Sequence, residues 1–385
     1  MLRLSLKNFV LSFCALAVSQ AFAAERVIGA NATLDINAGA RSAALGGASI
    51  ALDHDLLSLT SNPEQLAEAK NSWVAFSHVA YYEGTQYDYG AVQFPLGDLG
   101  GLGIVFSRFG SSDIPKIAED DPIPEGESYR TFSIADYVLT LAWGRRFLDG
   151  HLDVGIGVHG LYRELDQSGW GFRGDAGARF HAFDWLTVSS FLKGWTSSAV
   201  TWEEGTVEYS SPEWYLGLGL SRPVSYFYGT VSAYWQSAGV LHRENRDEDW
   251  NGDVRGGRFW EHPIDWLGGG RAGVEFAFDF GLSVRAGLSS LSELESWTVG
   301  AGFSLSNWLR IDYAFESHPT LSAVHRVSLE ISPGLFLYPE KKSVAKAQPK
   351  KARGEVSESS VSEMEPEIFE PEEGVESSGG TYWEE

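Results

Sequence analysis

The sequence predicts an all-β fold: a transmembrane antiparallel β-barrel of about fourteen strands with an N-terminal hatch or plug and a disordered C-terminal tail. Three observations predict it. Apolar and polar residues alternate with period two in segment after segment between Trp73 and Ile331. Long connections follow odd-numbered strands and tight turns follow even-numbered ones. Finally, the composition is rich in residues that suit pleated walls and close backbone approach, with 14 Trp, 15 Tyr, 22 Phe and 43 Gly against 2 Met.

The chain opens like a secretory signal, expected over residues 1–23. Arg3 and Lys7 give a positive start, Phe9 to Val18 is an apolar run, and Ala21-Phe22-Ala23 has the small-x-small form of a cleavage site. The single cysteine, Cys14, lies inside this segment, so the mature protein is expected to have neither a disulfide nor a thiolate metal site. No later stretch reaches the roughly 20 apolar residues of a spanning helix. A chain that stays in a membrane must then close a barrel, because an open sheet leaves backbone groups unsatisfied in lipid.

Residues 24–72 do not alternate and are read as the hatch. They hold a run of small residues from Gly39 to Ala48, and Asn62-Pro63 predicts the start of a short helix, with Asn accepting from orphan amides and Pro pre-shaped for the first turn.

Residues 73–337 are read as the barrel. In the clearest strand Leu152, Val154, Ile156 and Val158 share one face and Asp153, Gly155, Gly157 and His159 the other. The next repeats this, with Phe172, Ala176, Ala178 and Phe180 against Arg173, Asp175, Gly177 and Arg179. Strands are expected near 73–82, 86–95, 101–109, 132–145, 151–163, 170–182, 185–196, 213–222, 226–238, 264–278, 280–291, 294–305, 308–317 and 322–332. The long connections 110–131, 197–212 and 239–263 all follow odd strands, which places them outside the cell. A water-soluble sandwich would also alternate, but it has no reason to sort its loops by parity. Trp73, Tyr81, Trp170, Trp185, Trp214, Trp266, Trp297 and Trp308 near strand ends fit aromatic girdles at the lipid interfaces.

Residues 338–385 are read as a periplasmic tail. Six basic residues lie between Lys341 and Arg353, then eleven Glu and no Lys or Arg from Gly354 onward, so much of the formal charge of −23 sits at one end. Such a segment cannot bury a core; it is a solvated tail or a contact for a periplasmic partner.

The polar strand faces carry charges of both signs from around the whole wall: Asp153, Arg173, Asp175, Arg179, Arg271, Glu275, Arg285, Arg310, Asp312, Arg326 and Glu330. Enclosed charges must pair. The network therefore braces the wall and seats the hatch, or else it lines an ion-selective path. No catalytic, metal or cofactor site is expected. Gly155-x-Gly157-x-x-Gly160 lies within a strand rather than between a strand and a helix, so it is no dinucleotide fingerprint. Asp53-His54-Asp55 reads as a polar turn, and nothing marks Ser189, Ser190 or Ser317 beside His318 as a nucleophile. Outer-membrane lipid is the expected surrounding and nucleic acid is not an expected partner.

The run Gly39-Ala40-Arg41, Leu45-Gly46-Gly47-Ala48, Asp53-His54-Asp55 and Asn62-Pro63 resembles the N-terminal signature of the PorV/PorQ proteins and their FadL-like relatives. Phe132–Tyr137, Gly171–Ala178, Ile311–Phe315 and His325–Leu329 agree with it, so the likeness spans about residues 29 to 333. It departs at Glu64, where Ala would follow Asn-Pro. The resemblance implies a fourteen-stranded outer-membrane barrel with a hatch built on Gly39, Arg41, Gly46, Gly47, Asp53, Asn62 and Pro63. For PorV/PorQ members it implies a part in type IX protein secretion and surface attachment of cargo, with secretion-machinery or cargo proteins as partners. For FadL-like members it implies inward passage of hydrophobic compounds.

Overall fold

In the computed structural model, the described residues are 32–81, 84–115, 131–165, 167–196, 198–210, 212–239, 269–291, 296–318 and 323–337. The signal segment, the tail, the connections 116–130 and 240–268 and Trp266 lie outside them. Among the described residues no helix is long and apolar enough to cross a membrane.

Sixteen strands form one antiparallel sheet. The first half comprises β1 (Trp73–Ala80), β2 (Gln86–Pro95), β3 (Gly101–Pro115), β4 (Thr131–Phe147), β5 (Leu152–Glu164), β6 (Ser168–Phe183), β7 (Leu186–Lys193) and β8 (Ser198–Trp202). The second comprises β9 (Val207–Ser210), β10 (Glu213–Val224), β11 (Gly229–Gln236), β12 (Arg271–Phe278), β13 (Leu282–Leu288), β14 (Trp297–Leu305), β15 (Leu309–Glu316) and β16 (Val324–Ile331). The order β5-β4-β3-β2-β1-β16 and on down to β10-β7-β6 closes where β5 pairs with β6, so fourteen strands make the wall. The seam joins the first strand to the last, with Val74 opposite Ile331 and Ala80 opposite His325.

The remaining two strands, β8 and β9, form a hairpin added to the outer half of β6, with Phe172 opposite Ala199. They occupy the connection 197–212 that the sequence leaves as a loop. They are short and interrupt no alternating run, so periodicity alone does not reveal them.

The burial pattern decides what kind of barrel this is. Phe76, Phe106, Leu139, Ile156, Phe172 and Val327 are exposed on the outer face, whereas Asp153, Asp175, Arg179 and Arg326 are buried within. A water-soluble protein would have the reverse. Apolar residues outside and charges inside fit a wall whose solvent is hydrocarbon. Exposed Leu99, Leu148, Phe183, Tyr226 and Phe280 stand at the short-turn end and Trp170 and Trp297 at the long-loop end, as interfacial anchors would. The girdle expectation fails at Trp73 and Tyr81. Both share the inward parity of Ala75 and Val79 and pack against the interior apolar cluster, with the Arg310 guanidinium 5.1 Å from the Trp73 ring centre.

Residues 32–72 lie inside the ring. They fold as short pieces: a 3-10 turn Ala32–Asp35, a helical turn Ala40–Ala44, a 3-10 turn Leu56–Ser58 and a 3-10 helix Pro63–Glu68. Inward-facing glycines let the backbone approach the wall. Gly273, Gly287 and Gly300 face Ala44–Gly46; Gly144, Gly155 and Gly177 face Pro63-Glu64; Gly217 and Gly219 face Ile50-Ala51. A methyl group at most of these positions would meet hatch atoms, which explains why small residues alternate with charges along the polar face.

Candidate functional site

The hatch and the charged wall form one site, and its parts are set by the conformations of the N-terminal run. Gly46 and Gly47 have φ of 68° and 82°, values a side chain rarely adopts. They turn the chain after Ala40–Ala44 so that Ser49–Leu52 crosses the lumen. Gly39 precedes the helical turn in extended conformation, with its Cα close to Leu57 and Asp55. Asn62 is not the helix cap that its place before Pro63 predicts, since it makes no cap bond. Its amide instead donates to the carbonyls of Ser49 (3.1 Å) and Leu52 (2.8 Å), clamping that crossing segment. These acceptors are shared, since the Leu52 amide also donates to the Ser49 carbonyl and Arg179 to the Leu52 carbonyl, so Asn62 adds a second bond to each.

The predicted wall charges separate into clusters, most of which hold the hatch. At the short-turn end Asp153 accepts from Arg146 (2.7 and 2.9 Å), Arg179 (3.2 Å) and His181 (2.9 Å). Arg179 also donates to Asp53 (2.7 Å) and to the Leu52 carbonyl (2.9 Å). Halfway round, Arg41 bridges Glu275 (3.1 and 2.9 Å) and the Asp53 carbonyl (2.6 Å), and Arg285 joins Glu275 to Asp312. Near the seam Arg310 reaches the His54 carbonyl (2.7 Å) and Glu330 (3.4 Å), while Glu330 accepts from the Leu56 amide (3.1 Å). Arg326 spans the Asn37 carbonyl (3.1 Å) and Glu316. Arg173 pairs with Asp175 (2.8 Å) and Asp35 (3.2 Å). Arg271 has no hydrogen bond or ion pair among the described residues.

Several members of these clusters are absent from the sequence expectation. Arg146 shares the inward parity of Ala142 and Gly144, so alternation could have found it. Gln236 shares the inward parity of Ser232 and Tyr234 in the same way, whereas Glu68 and Asp35 carry no such signal, because their roles depend on how the hatch folds. Glu68, Asp153 and His181 bring three ligand atoms within 4.8 Å of one another. Arg146 and Arg179 already bind these carboxylates, so a divalent cation would meet two guanidiniums there.

Among the described residues, two buried hatch acids, Glu64 and Asp55, are left without an ion pair. Glu64 is fully buried in the lumen and neither of its carboxyl oxygens has a hydrogen-bond partner. Burial pushes its pKa up to about 8 against the opposing pull of Arg179. Asp55 is raised to about 6 by the same cause, opposed by Arg41.

Two cavities flank the hatch. The one at the long-loop end has a volume of about 180 Å³ and mixes apolar Leu34, Ile36, Leu57 and Phe191 with Asp35, Lys193 and Arg271. The other, at the short-turn end, has about 780 Å³ and is lined by Arg146, His181, Phe183, Trp185, Leu220 and Tyr234 among others. Ile50 borders the first and Ala51 the second. The two cavities therefore approach each other across the consecutive residues Ile50 and Ala51, against Gly217 and Gly219 of β10. The Ser49 and Ile50 amides both donate to Gln236 Oε1, at 3.0 and 3.3 Å, which fixes the barrier to β11.

No family model matches the chain, and no curated protein matches it. Among solved structures it is similar to the toluene transporter TbuX of Ralstonia pickettii, at 11% identity over 76% of this chain and 98% of that one, with a TM-score of 0.43. The toluene transporter TodX of Pseudomonas putida is 14% identical over 76% of this chain and 96% of that one, at 0.42. The outer-membrane protein Omp33 of Acinetobacter baumannii is 6% identical over 68% and 97%, at 0.35. Scores this low carry no functional inference, and the architecture rests on the chain's own register. A closed fourteen-stranded wall, apolar outside, charged within and turned tightly at one end, makes this chain an outer-membrane β-barrel.

Proposed function

We propose that this chain is a non-catalytic outer-membrane channel for small, largely hydrophobic solutes, with the Ser49–Ala51 segment as its barrier. The observation that carries the reading is the pair of cavities back to back across Ile50 and Ala51. A wall sealed only for support needs no emptied volume on either side of its thinnest point. Both cavities combine apolar and polar lining, which suits a solute that must leave lipopolysaccharide and reach water. The ion pairs that seat the hatch elsewhere leave this segment held mainly by Gln236 and Asn62, so it can move without breaking the buried charge clusters.

Cysteines at Ile50 and Gly217 test the route, since the mature chain is expected to hold none of its own. In proteoliposomes, uptake of labelled toluene should fall several-fold when the pair is oxidised and recover on reduction. Equal uptake in the two states would remove this route. A role in protein secretion or surface attachment rests on the N-terminal motifs alone; pull-down from solubilised outer membranes would recover machinery or cargo proteins if it holds, and their reproducible absence would count against it.

A further inference from the structure

The cavity at the long-loop end holds one guanidinium with no ion pair among the described residues. Its two acids are fully engaged: Asp35 by Lys193 (2.7 Å) and Arg173 (3.2 Å), Glu213 by Lys193 (2.9 Å) and the Tyr215 hydroxyl (2.6 Å). Arg173 is further committed to Asp175. Arg271, half-buried at the start of β12, is the lining cation without an ion pair among the described residues, beside Gly47 and the Asn37 amide. An arginine cannot shed its proton to escape this, and a partly desolvated guanidinium without an anion is costly. Its planar fork matches a carboxylate.

The volume of the same cavity limits the size of the whole ligand. The whole cavity, lined by Leu34, Ile36, Ile50, Leu57 and Phe191 together with its polar and charged groups, has a volume of about 180 Å³. An engineered apolar cavity of about 150 Å³ takes up benzene, so an aromatic ring fits and a long alkyl chain does not. Arg271 also lies directly opposite Gln236 in the β11–β12 register, and Gln236 holds the Ser49 and Ile50 amides. A ligand on Arg271 would thus sit beside the attachment of the barrier.

We propose that this cavity is a binding site for a small monocarboxylate with a ring-sized apolar body, and that Arg271 is its charge partner. The proposal rests on the channel reading and narrows its solute class. A neutral ring would fill the volume but leave Arg271 unpaired, and a dianion would have to displace Asp35 or Glu213 from Lys193.

The test uses the full mature barrel in detergent, with benzoate as probe and benzyl alcohol as its neutral counterpart of equal size, read by calorimetry. Benzoate should bind saturably and about ten-fold or more tightly than benzyl alcohol. That preference should disappear in Arg271→Gln and return in part in Arg271→Lys, with heat-modifiability on gels showing that each variant is folded. Equal affinity for the two probes in the wild type, or benzoate binding undiminished in a folded Arg271→Gln, would overturn the proposal. Toluene uptake that responds to the Ile50–Gly217 cross-link, with no preference for benzoate, would defeat this inference alone. Benzoate selectivity with uptake indifferent to the cross-link would defeat the channel reading and leave the site.

Discussion

Glu64 shows how one side chain can set the pH response of the hatch. In the unfolded chain its carboxyl titrates near 4.5, and in the seated hatch at about 8. Below the lower value both states are protonated and pH does not act on it. Between the two, the unfolded chain has lost its proton and the native one has kept it, so stability falls by about 1.4 kcal/mol for each pH unit of rise. Above about 8 both forms are ionised and the loss levels off. Asp55 contributes the same sign but only up to about 6, so over the interval from pH 6.5 to 8 the difference between the wild type and a Glu64 variant reports Glu64. Glu64→Gln, which mimics the protonated form, should flatten the decline in thermal midpoint across that interval; parallel declines in both proteins would show that Glu64 is not responsible. The residue stands where the resembling family has Ala, and Gly177 leaves the space that its carboxyl fills. The sequence shows the departure but not its surroundings, because alternation places Gly177 on the inner face without saying which hatch atom meets it.

At the scale of the element, the Ser49–Leu52 crossing depends on a few directed bonds rather than on regular structure. Asn62→Ala would remove two hydrogen bonds to buried carbonyls that each keep one other donor, at a cost of about 0.5–1.5 kcal/mol per bond. Hydrogen exchange at the amides of residues 49–52 should accelerate accordingly, while exchange in the distant β3–β4 pairing stays unchanged; uniform acceleration would mean the clamp supports the whole barrel instead. Asn62 also marks where reading from sequence stops. Its place before Pro63 truthfully signalled a helical start, and Pro63–Glu68 follows it. What its amide bonds to lies ten and thirteen residues back, a choice made by burial rather than by local pattern. Trp73 and Tyr81 were misassigned to the girdle for a related reason: position near a strand end suggested it, whereas the parity they share with Ala75 and Val79 turns them inward.

Across the whole molecule, the wall was the most legible part, since period two and loop parity are both properties of consecutive residues. The same pattern allows a test of which face meets lipid. Leu139 lies midway along β4 and is half-exposed on the outer face. Leu139→Arg should cost about 2–4 kcal/mol when folding is followed into lipid vesicles. Little effect there would indicate that this face meets water. The partners of the enclosed charges were not legible in this way, because Arg41 and Glu275, or Arg310 and the His54 carbonyl, come together only after the ring and the hatch are both in place.

That dependence gives the seam a kinetic meaning. The hatch leads directly into β1, yet its Ala40 amide donates to Ser328 (2.8 Å) and its Leu56 amide to Glu330, both on β16. This segment, which precedes every strand in the chain, must therefore wait for the last strand before it can be seated. Contacts across such sequence separations form slowly. During biogenesis an unclosed ring would hold its N-terminal segment unanchored, so docking of that segment would serve as a late marker of complete assembly, and a chain stalled before β16 would expose those forty-odd residues to periplasmic proteases.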